Sequence, residues 1–214
     1  MPVTLKQVSD QIKLIVQDST YDVYLAEYVN DVCNELCGEI LFSELESSDT
    51  VTTSVEYDYV SLPADYHRGL YAVYENSAKQ RIPILSHNVL FERFGYAPDT
   101  AGDISAVAVA GKKLYYRYVP SSASVLVLKY YRTPEVLSDD TDVLDFLTSD
   151  EEPAGKWAVI HGVCKKIFDQ IEDGIDGRKA NTQLHEARYE SEKLKLLKRS
   201  RHDMLIAPSV PNPI

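Results

Sequence analysis

Four side chains that can bind zinc occur in two pairs at helical spacing. Cys33 and Cys37 are four residues apart, and His161 and Cys164 are three apart, so each pair falls on one side of a helix. If the two helices packed together, a Cys3His site would be possible. The Cys-x2-Cys spacing of common zinc motifs is absent, and buried thiols with one hydrogen-bonded histidine explain the same residues. We therefore predict no metal and no cofactor.

Two further fragments look like ion-binding motifs but are incomplete. Asp169, Asp173 and Asp176 lie close to two glycines, yet the alternate acidic positions and the final glutamate of a calcium loop are missing. A helix end followed by a helix cap explains these residues better. Gly111-Lys112-Lys113 has neither the upstream glycine nor the Ser or Thr of a phosphate loop.

Asp65 and His67 are the residues closest to an acid–base pair. With remote carboxylates they could serve a metal-dependent hydrolase, but a histidine in a surface loop near a strand end is the commoner case. No nucleophile elbow or H-E-x-x-H motif accompanies them. Because no catalytic set is assembled, we predict that the protein is not an enzyme.

The overall charge argues against a protein that grips nucleic acid. The chain has 22 Lys and Arg against 33 Asp and Glu, a net charge of −11 at pH 7, which disfavours binding to phosphates but does not prevent a nucleic acid from passing nearby. No apolar run approaches the ~20 residues needed to span a bilayer, and no signal peptide is visible. Three cysteines are an odd number for a disulfide scaffold. We expect a soluble, unexported protein with reduced thiols and no membrane partner.

Helices are predicted at both ends of the chain, at about residues 4–42 and 150–200. Thr4 and Gln7 have capping-box spacing, and apolar residues then recur at helical spacing, which predicts a helix from about Leu5 to Val16. A second amphipathic pattern begins at Leu25 and predicts a helix that ends near Phe42.

Two more helices are predicted towards the C-terminus. Ser149 with Glu152 forms a second capping-box pattern, before a segment so apolar that we expect a helix buried on more than one side. Asp176 is the predicted N-cap of a last helix with a highly charged outer face. Beyond it, residues 207–214 contain three prolines and are predicted to form an extended docking tail.

Between the helices the hydrophobic period changes to two. Alternation predicts a strand over Val51–Tyr59, and further strands at residues 70–74, 107–109, 114–119 and 125–131, with a hairpin turn at Gly111-Lys112. Residues 88–94 are predicted to form a short helix that ends at Gly95. The predicted fold is α+β: a helical bundle of about four helices with a mid-chain antiparallel β insertion over residues 51–137. We expect one domain over residues 1–206.

Two parts of this chain have the composition of contact surfaces. In the β insertion, apolar and polar side chains alternate over short runs that are rich in tyrosine, and large amphipathic rings on exposed strand faces are typical of protein interfaces. Near the end of the last helix, basic residues concentrate in an otherwise acidic chain; part of this bias suits the helix macrodipole. The basic residues are Arg188, Lys193, Lys195, Lys198, Arg199 and Arg201.

The order of these motifs resembles the head-to-tail connector, or adaptor, proteins of tailed bacteriophages. In that family two helices precede a strand that enters a Leu-Pro-x-Asp-Tyr turn, and a tyrosine-and-proline strand closes a β insertion before two final helices. The matching residues here are Leu62, Pro63, Asp65 and Tyr66, then Tyr130, Tyr131, Arg132 and Pro134. The resemblance covers nearly the full chain, although residues 77–103 match no clear element.

The resemblance implies a structural virion protein, made in the host cytoplasm and located at the head–tail junction. It would form a homo-oligomeric ring, commonly of twelve subunits, beneath the portal protein. The ring would meet a downstream tail or nozzle protein, and double-stranded DNA would pass through it without sequence-specific binding. Portal contacts would fall on Lys198, Arg199, Arg201, Pro208, Pro211, Pro213 and Ile214, and subunit or tail contacts on Tyr116, Tyr118, Tyr130 and Tyr131.

Besides the connector and the metal-dependent hydrolase, one further function stays open: a ligand-binding domain. A stand-alone cytosolic domain could use the same tyrosine strands to bind a peptide or a small ligand. A monomer with a concave aromatic cleft would favour this alternative, whereas a ring would favour the connector.

Overall fold

The chain folds into two compact units. A computed structural model describes residues 2–95, 101–147, 151–173 and 179–206, with the side chains of residues 152 and 201–206 outside the description. The helical unit comprises Met1–Leu45 and Pro134–Ile214, and the β unit comprises Glu46–Thr133. The single domain over residues 1–206 stays a prediction, because compactness does not show whether two units unfold together. The docking tail at 207–214 lies outside the described residues.

The first two helices follow the local signals in the sequence. Helix α1 spans Leu5–Val16 and begins with the predicted capping box: Gln7 N donates to Thr4 Oγ1 at 3.3 Å, and Thr4 N donates to Gln7 Oε1 at 3.4 Å. Short 3-10 turns at Ser19–Tyr24 and Ser43–Leu45 flank helix α2, which spans Leu25–Glu39. Helix α2 ends before the predicted Phe42 because Ile40 has an extended backbone.

Two long helices complete the helical unit. After α3 in the β unit (His87–Phe94), helix α4 spans Glu152–Ile171 and helix α5 spans Ala180–Ile206. The predicted caps at Ser149 and Asp176 lie outside the described residues. The observed cap of α5 comes from Glu172, whose carboxylate accepts hydrogen bonds from the backbone N of Asn181 and of Thr182, each at 3.0 Å. This carboxylate satisfies two amide groups that a helix start otherwise leaves without partners.

Helix α4 is the centre of the helical unit. Val159, Val163 and Ile167 are fully buried, as expected for a helix with neighbours on more than one side. Gly162 permits the closest approach: a Cβ atom there would lie 2.7 Å from Val32 Cγ1 of α2 and 3.1 Å from Tyr189 Cε2 of α5. A side chain at position 162 would therefore push these helices apart.

The β unit consists of two four-stranded sheets. Strand order is β1-β8-β3-β4 in the first sheet and β2-β7-β6-β5 in the second. Neighbouring strands are antiparallel except β5 and β6, which are parallel. The strands are β1 (Glu46–Thr52), β2 (Tyr59–Ser61), β3 (Tyr66–Glu75), β4 (Arg81–Ile82), β5 (Ile84–Leu85), β6 (Ala106–Ala110), β7 (Lys113–Arg117) and β8 (Val125–Arg132).

The two sheets share one hydrophobic core. Buried residues of the first sheet, including Val73 and Leu128, cluster with Val107, Leu114 and Tyr116 of the second. On the other face of the second sheet, Leu90 of α3 packs with Ala106 and Ala108. The second sheet is therefore covered on both sides along part of its length.

The predicted architecture is wrong, although the chain is α+β. Within the described residues there are five α-helices and two substantial sheets, rather than a bundle of about four helices with one antiparallel insertion. The strand predicted over Val51–Tyr59 is in fact the end of β1 and the start of β2, which belong to different sheets. Apolar and polar residues continue to alternate where the chain leaves the first sheet and enters the second. The hydrophobic period alone therefore does not show where the first strand ends.

Several local predictions in the β unit are confirmed. Gly111 has φ 60° and forms the turn between β6 and β7, where a left-handed residue is needed. Helix α3 ends at Gly95, which has φ 76°. No helix among the described residues combines the length and apolar character required to cross a membrane.

Adding one methyl group at Gly162 is expected to destabilise the protein. We expect Gly162→Ala to lower the free energy of unfolding by about 1–3 kcal/mol, because the methyl overpacks the contact with Val32. Gly38→Ala is the matched control, since Gly38 also lies in a helix but its Cβ would meet nothing within 4 Å. We expect a gain of about 0.5–1 kcal/mol there. Thermal and denaturant unfolding measure both, and equal effects would contradict the packing described.

Candidate interaction surfaces

The two motifs that carried the resemblance meet in the β unit. Asp65 lies just before β3, and Tyr130 lies near the end of β8. The Tyr130 hydroxyl donates to Asp65 Oδ1 at 2.7 Å, and the backbone N of Thr133 donates to the carbonyl of Asp65 at 2.8 Å. The rings of Tyr66 and Tyr130 pack at 5.5 Å between centroids. Together they form a joint between two neighbouring strands, which we call the Asp65–Tyr130 joint.

The electrostatics of this joint keep the phenol protonated. Burial, followed by the hydrogen bond to Asp65, raises the pKa of Tyr130 to about 12. The hydroxyl is thus a donor at neutral pH, and the Asp65 carboxylate supplies the acceptor that a buried phenol needs. Asp65, a residue of the hydrolase alternative, is therefore engaged in a structural hydrogen bond. Across the described ranges, no group of three or more His, Cys, Asp or Glu side chains is placed to hold a metal.

The four predicted contact tyrosines divide into two buried and two partly exposed residues. Tyr116 is fully buried, and its hydroxyl accepts from Ser54 N and donates to Tyr57 O, each at 2.8 Å. Tyr130 is also buried, in the joint. Tyr118 and Tyr131 keep part of their surface exposed. The observed contacts of Tyr116 and Tyr130 therefore lie inside the β unit.

Tyr131 belongs to a small exposed cluster on the first sheet. Its ring packs against Tyr71 at 5.6 Å, and both hydroxyls donate to the carboxylate of Glu46 at 3.2 Å. Partial burial and then the nearby Glu46 raise the pKa of each tyrosine to about 12. These rings are held rigidly with their edges accessible, as in residues that anchor protein contacts.

The second sheet carries a larger aromatic surface, which we call the tyrosine row. Tyr57, Tyr59 and Tyr115 follow one another at 5.7 Å between neighbouring ring centroids, and His87 packs on Tyr115 at 4.9 Å. Lys113 Nζ lies 3.8 Å from the Tyr59 ring centroid, within cation–π range. Tyr57 is 55% exposed. Sequence reasoning named Tyr116 instead of Tyr115, although residues that alternate along β7 must face opposite sides.

The basic end of α5 is partly neutralised by acidic partners within the chain. Lys193 pairs with Glu39 of α2 at 3.2 Å and with Glu190 at 2.9 Å, and Lys195 pairs with Glu192 at 2.6 Å. Farther along the helix, Lys198 and Arg199 are exposed. Ser200 Oγ donates to Leu41 O at 2.7 Å and holds this end of α5 beside the segment after α2.

Part of the predicted portal contact lies outside the described residues. The side chain of Arg201 and all of Pro208, Pro211, Pro213 and Ile214 lie outside the description. Within the described part of the contact, Lys198 and Arg199 are therefore the residues that the structure brings together on one helix end.

The zinc candidates are buried but are not gathered around one point. Cys33, Cys37 and Cys164 are buried in the helical core and form no disulfide with one another, and burial raises the pKa of Cys164 to about 12. His161 faces His185 of α5, with the two Nδ1 atoms 3.1 Å apart. The histidine therefore hydrogen-bonds to another histidine, a partner that sequence spacing did not suggest.

Partly exposed aromatic rings on one unit and an exposed basic helix end on the other are features typical of surfaces that contact other proteins. The sequence model of the SU10 adaptor protein family matches residues 3–211. The chain therefore belongs to that family, a family of phage head–tail adaptors, as its resemblance predicted. No curated protein matches the chain.

Membership of this family supports three predictions: a structural role, a place in the virion, and the kind of partner protein. The family is structural rather than catalytic, it implies a component of the virion, and it implies portal and tail proteins as partners.

Removing the hydroxyl of Tyr130 is expected to lower the free energy of unfolding far more than removing the hydroxyl of Tyr131. We expect Tyr130→Phe to lower the free energy of unfolding by about 1.5–3 kcal/mol, because the bond to a carboxylate is lost at a buried site. Tyr131→Phe is the control: its longer bond to Glu46 is exposed, and we expect a loss of about 0.5 kcal/mol. Chemical denaturation at pH 7 compares the two. Equal losses would show that the joint contributes no special stability.

Proposed function

We propose that this chain is a head–tail adaptor that forms a ring of twelve subunits under the portal and continues the DNA channel towards the tail. The observation that carries the proposal is the match of the SU10 adaptor family over nearly the whole chain. A ring of identical subunits needs two different complementary surfaces on each subunit. The exposed tyrosine side chains of the β unit and the charged helices of the helical unit offer two such chemically different surfaces.

Portal attachment is proposed to involve the end of α5 and the tail. Lys198 and Arg199 are exposed there, and cations at a rim steer an acidic partner and increase its association rate. Arg201 and the tail prolines Pro208, Pro211 and Pro213, with the terminal Ile214, would extend the contact, since a proline-rich segment loses little conformational entropy on binding.

Subunit or tail contacts are proposed for the β unit. Tyr131 and Tyr118 offer exposed ring surface directly, whereas Tyr116 and Tyr130 would act from beneath by fixing the strands that carry them. The tyrosine row adds a second aromatic surface whose most exposed member is Tyr57. Tyrosine is suited to this role because its ring buries much area at low entropic cost.

DNA is proposed to pass through the ring without being held. The net charge of −11 makes contact with phosphates unfavourable on average, so a channel wall of this composition favours sliding over binding. We therefore expect the purified protein to bind DNA only weakly at physiological salt.

The ring is tested by measuring particle mass and shape. We expect light scattering and negative-stain imaging to show twelve copies of the 24.1 kDa chain, either alone or after addition of portal-bearing capsids from the same phage. A protein that stays monomeric and adds no density at the portal vertex would overturn the adaptor ring. That outcome would favour the stand-alone binding domain.

The portal contact is tested by charge reversal. We expect Lys198→Glu combined with Arg199→Glu to weaken attachment to portals by about tenfold, because like charges then face an acidic partner. Lys6→Glu with Lys13→Glu is the matched control: it makes the same change of charge on exposed side chains of α1. Deletion of residues 207–214 should also weaken attachment while leaving the melting temperature unchanged. Full portal occupancy by both the reversed and the truncated protein would exclude this contact.

A further inference from the structure

Two buried histidines join α4 to α5 through a single shared proton. His161 and His185 are 7% and 5% exposed, and their Nδ1 atoms lie 3.1 Å apart. A hydrogen bond between two identical nitrogen atoms requires one to carry hydrogen and the other to offer its lone pair. If both rings become protonated, the acceptor is lost and two positive charges face each other at hydrogen-bonding distance.

An aromatic ring stacks on each histidine of the pair. Trp157 stacks on His161 with ring centroids 5.5 Å apart, and Phe168 stacks on His185 at 5.3 Å. All four rings belong to α4 or α5, so they form one continuous contact between these helices. Because both histidines are buried, water solvates a charge on either of them poorly.

The charged groups around the pair come from several elements. Arg188 of α5 acts against protonation of both histidines, whereas Glu192 favours protonation of His161, and Glu172 favours that of His185. Several other charged groups on and around α4 form ion pairs. On α4, Lys165 pairs with Glu186 of α5, Lys166 with Asp31 and Glu35 of α2, and Asp169 with Lys179. On α1, Lys6 pairs with Asp140 and Lys13 with Asp22. Arg188 therefore adds to the cost of charging the pair.

The direction of the pH effect follows from these surroundings. Burial, then His185 and Arg188, lower the pKa of His161 to about 4, and burial and Arg188 also lower the pKa of His185. A histidine released into water has a pKa of about 6.5. We call the state with α5 packed on α4 closed and the state with α5 released open. Between these pKa values the open state binds more protons than the closed state. The closed state is therefore fully favoured above pH 6.5 and is progressively lost as the pH falls.

We propose that the His161–His185 pair is an acid-sensitive switch that holds α5 against α4 when neutral and releases it when both rings are protonated. Release would free the helix that carries Lys198 and Arg199 while the β unit keeps its own core. The inference concerns the helical unit alone and does not rest on the proposed adaptor function.

The first test uses the only tryptophan of the chain, which reports on His161 directly. An imidazolium stacked on indole quenches its fluorescence, so we expect Trp157 emission to fall with a midpoint below the ordinary histidine pKa. Hydrogen exchange locates the opening: protection of α5 amides should fall by about 20-fold between pH 7 and pH 5 from His161 alone. Amides of β8 should keep their protection over the same range.

Variants distinguish the pair from general acid unfolding. His185→Asn keeps a side-chain hydrogen-bond partner for His161 but cannot be charged, so the loss of α5 protection on acidification should become smaller. Changing both histidines to Asn should abolish it. His87→Asn in the β unit is the matched control and should leave the response of α5 unchanged. If α5 of the unaltered protein is equally protected at pH 7 and pH 5, the proposal is wrong, whatever the variants do.

Discussion

A buried phenol that must find an acceptor determines much of the β unit. Tyr130 lies on β8, the strand that pairs with both β1 and β3. Its hydroxyl reaches the carboxylate of Asp65 because β3 begins beside the end of β8, where Tyr66 pairs with Arg132. Displacing β8 by one residue would turn Tyr130 outward and leave the Asp65 carboxylate without this donor. One polar contact thus specifies a register that hydrophobic burial alone would leave less well defined.

The helices could be predicted because their signals are local. A capping box at Thr4 and a left-handed glycine after α3 act within one turn of the chain, so the residues near them suffice. The sheets depend on contacts between distant segments. Strands β1 and β2 form one uninterrupted alternating pattern, yet the first pairs with β8 and the second with β7. Which partner a strand finds depends on tertiary packing, which the period of two does not encode.

The candidate surfaces were found only in part, for a related reason. Alternation on β7 shows that Tyr115 and Tyr116 face opposite sides, but not which side is buried. Helix α3 lies over the face that carries Arg117, which is 2% exposed, pairs with Asp58 at 2.5 Å and lies over the Phe91 ring. An arginine in a strand usually marks the face exposed to solvent. Here the face of β7 that carries Arg117 is covered, so the alternating pattern alone would assign that face wrongly. The same covering helix contributes His87 to the tyrosine row.

An adaptor has to contact unlike neighbours, and the two units supply unlike chemistry for doing so. Exposed or partly exposed rings, such as Tyr57 and Tyr131, offer apolar area whose burial depends little on salt. The exposed cations of α5 act over a longer range and are screened by salt within about 10 Å at 0.1 M. The proposed attachment through α5 should therefore weaken as ionic strength rises, while the contacts proposed for the aromatic surfaces should persist.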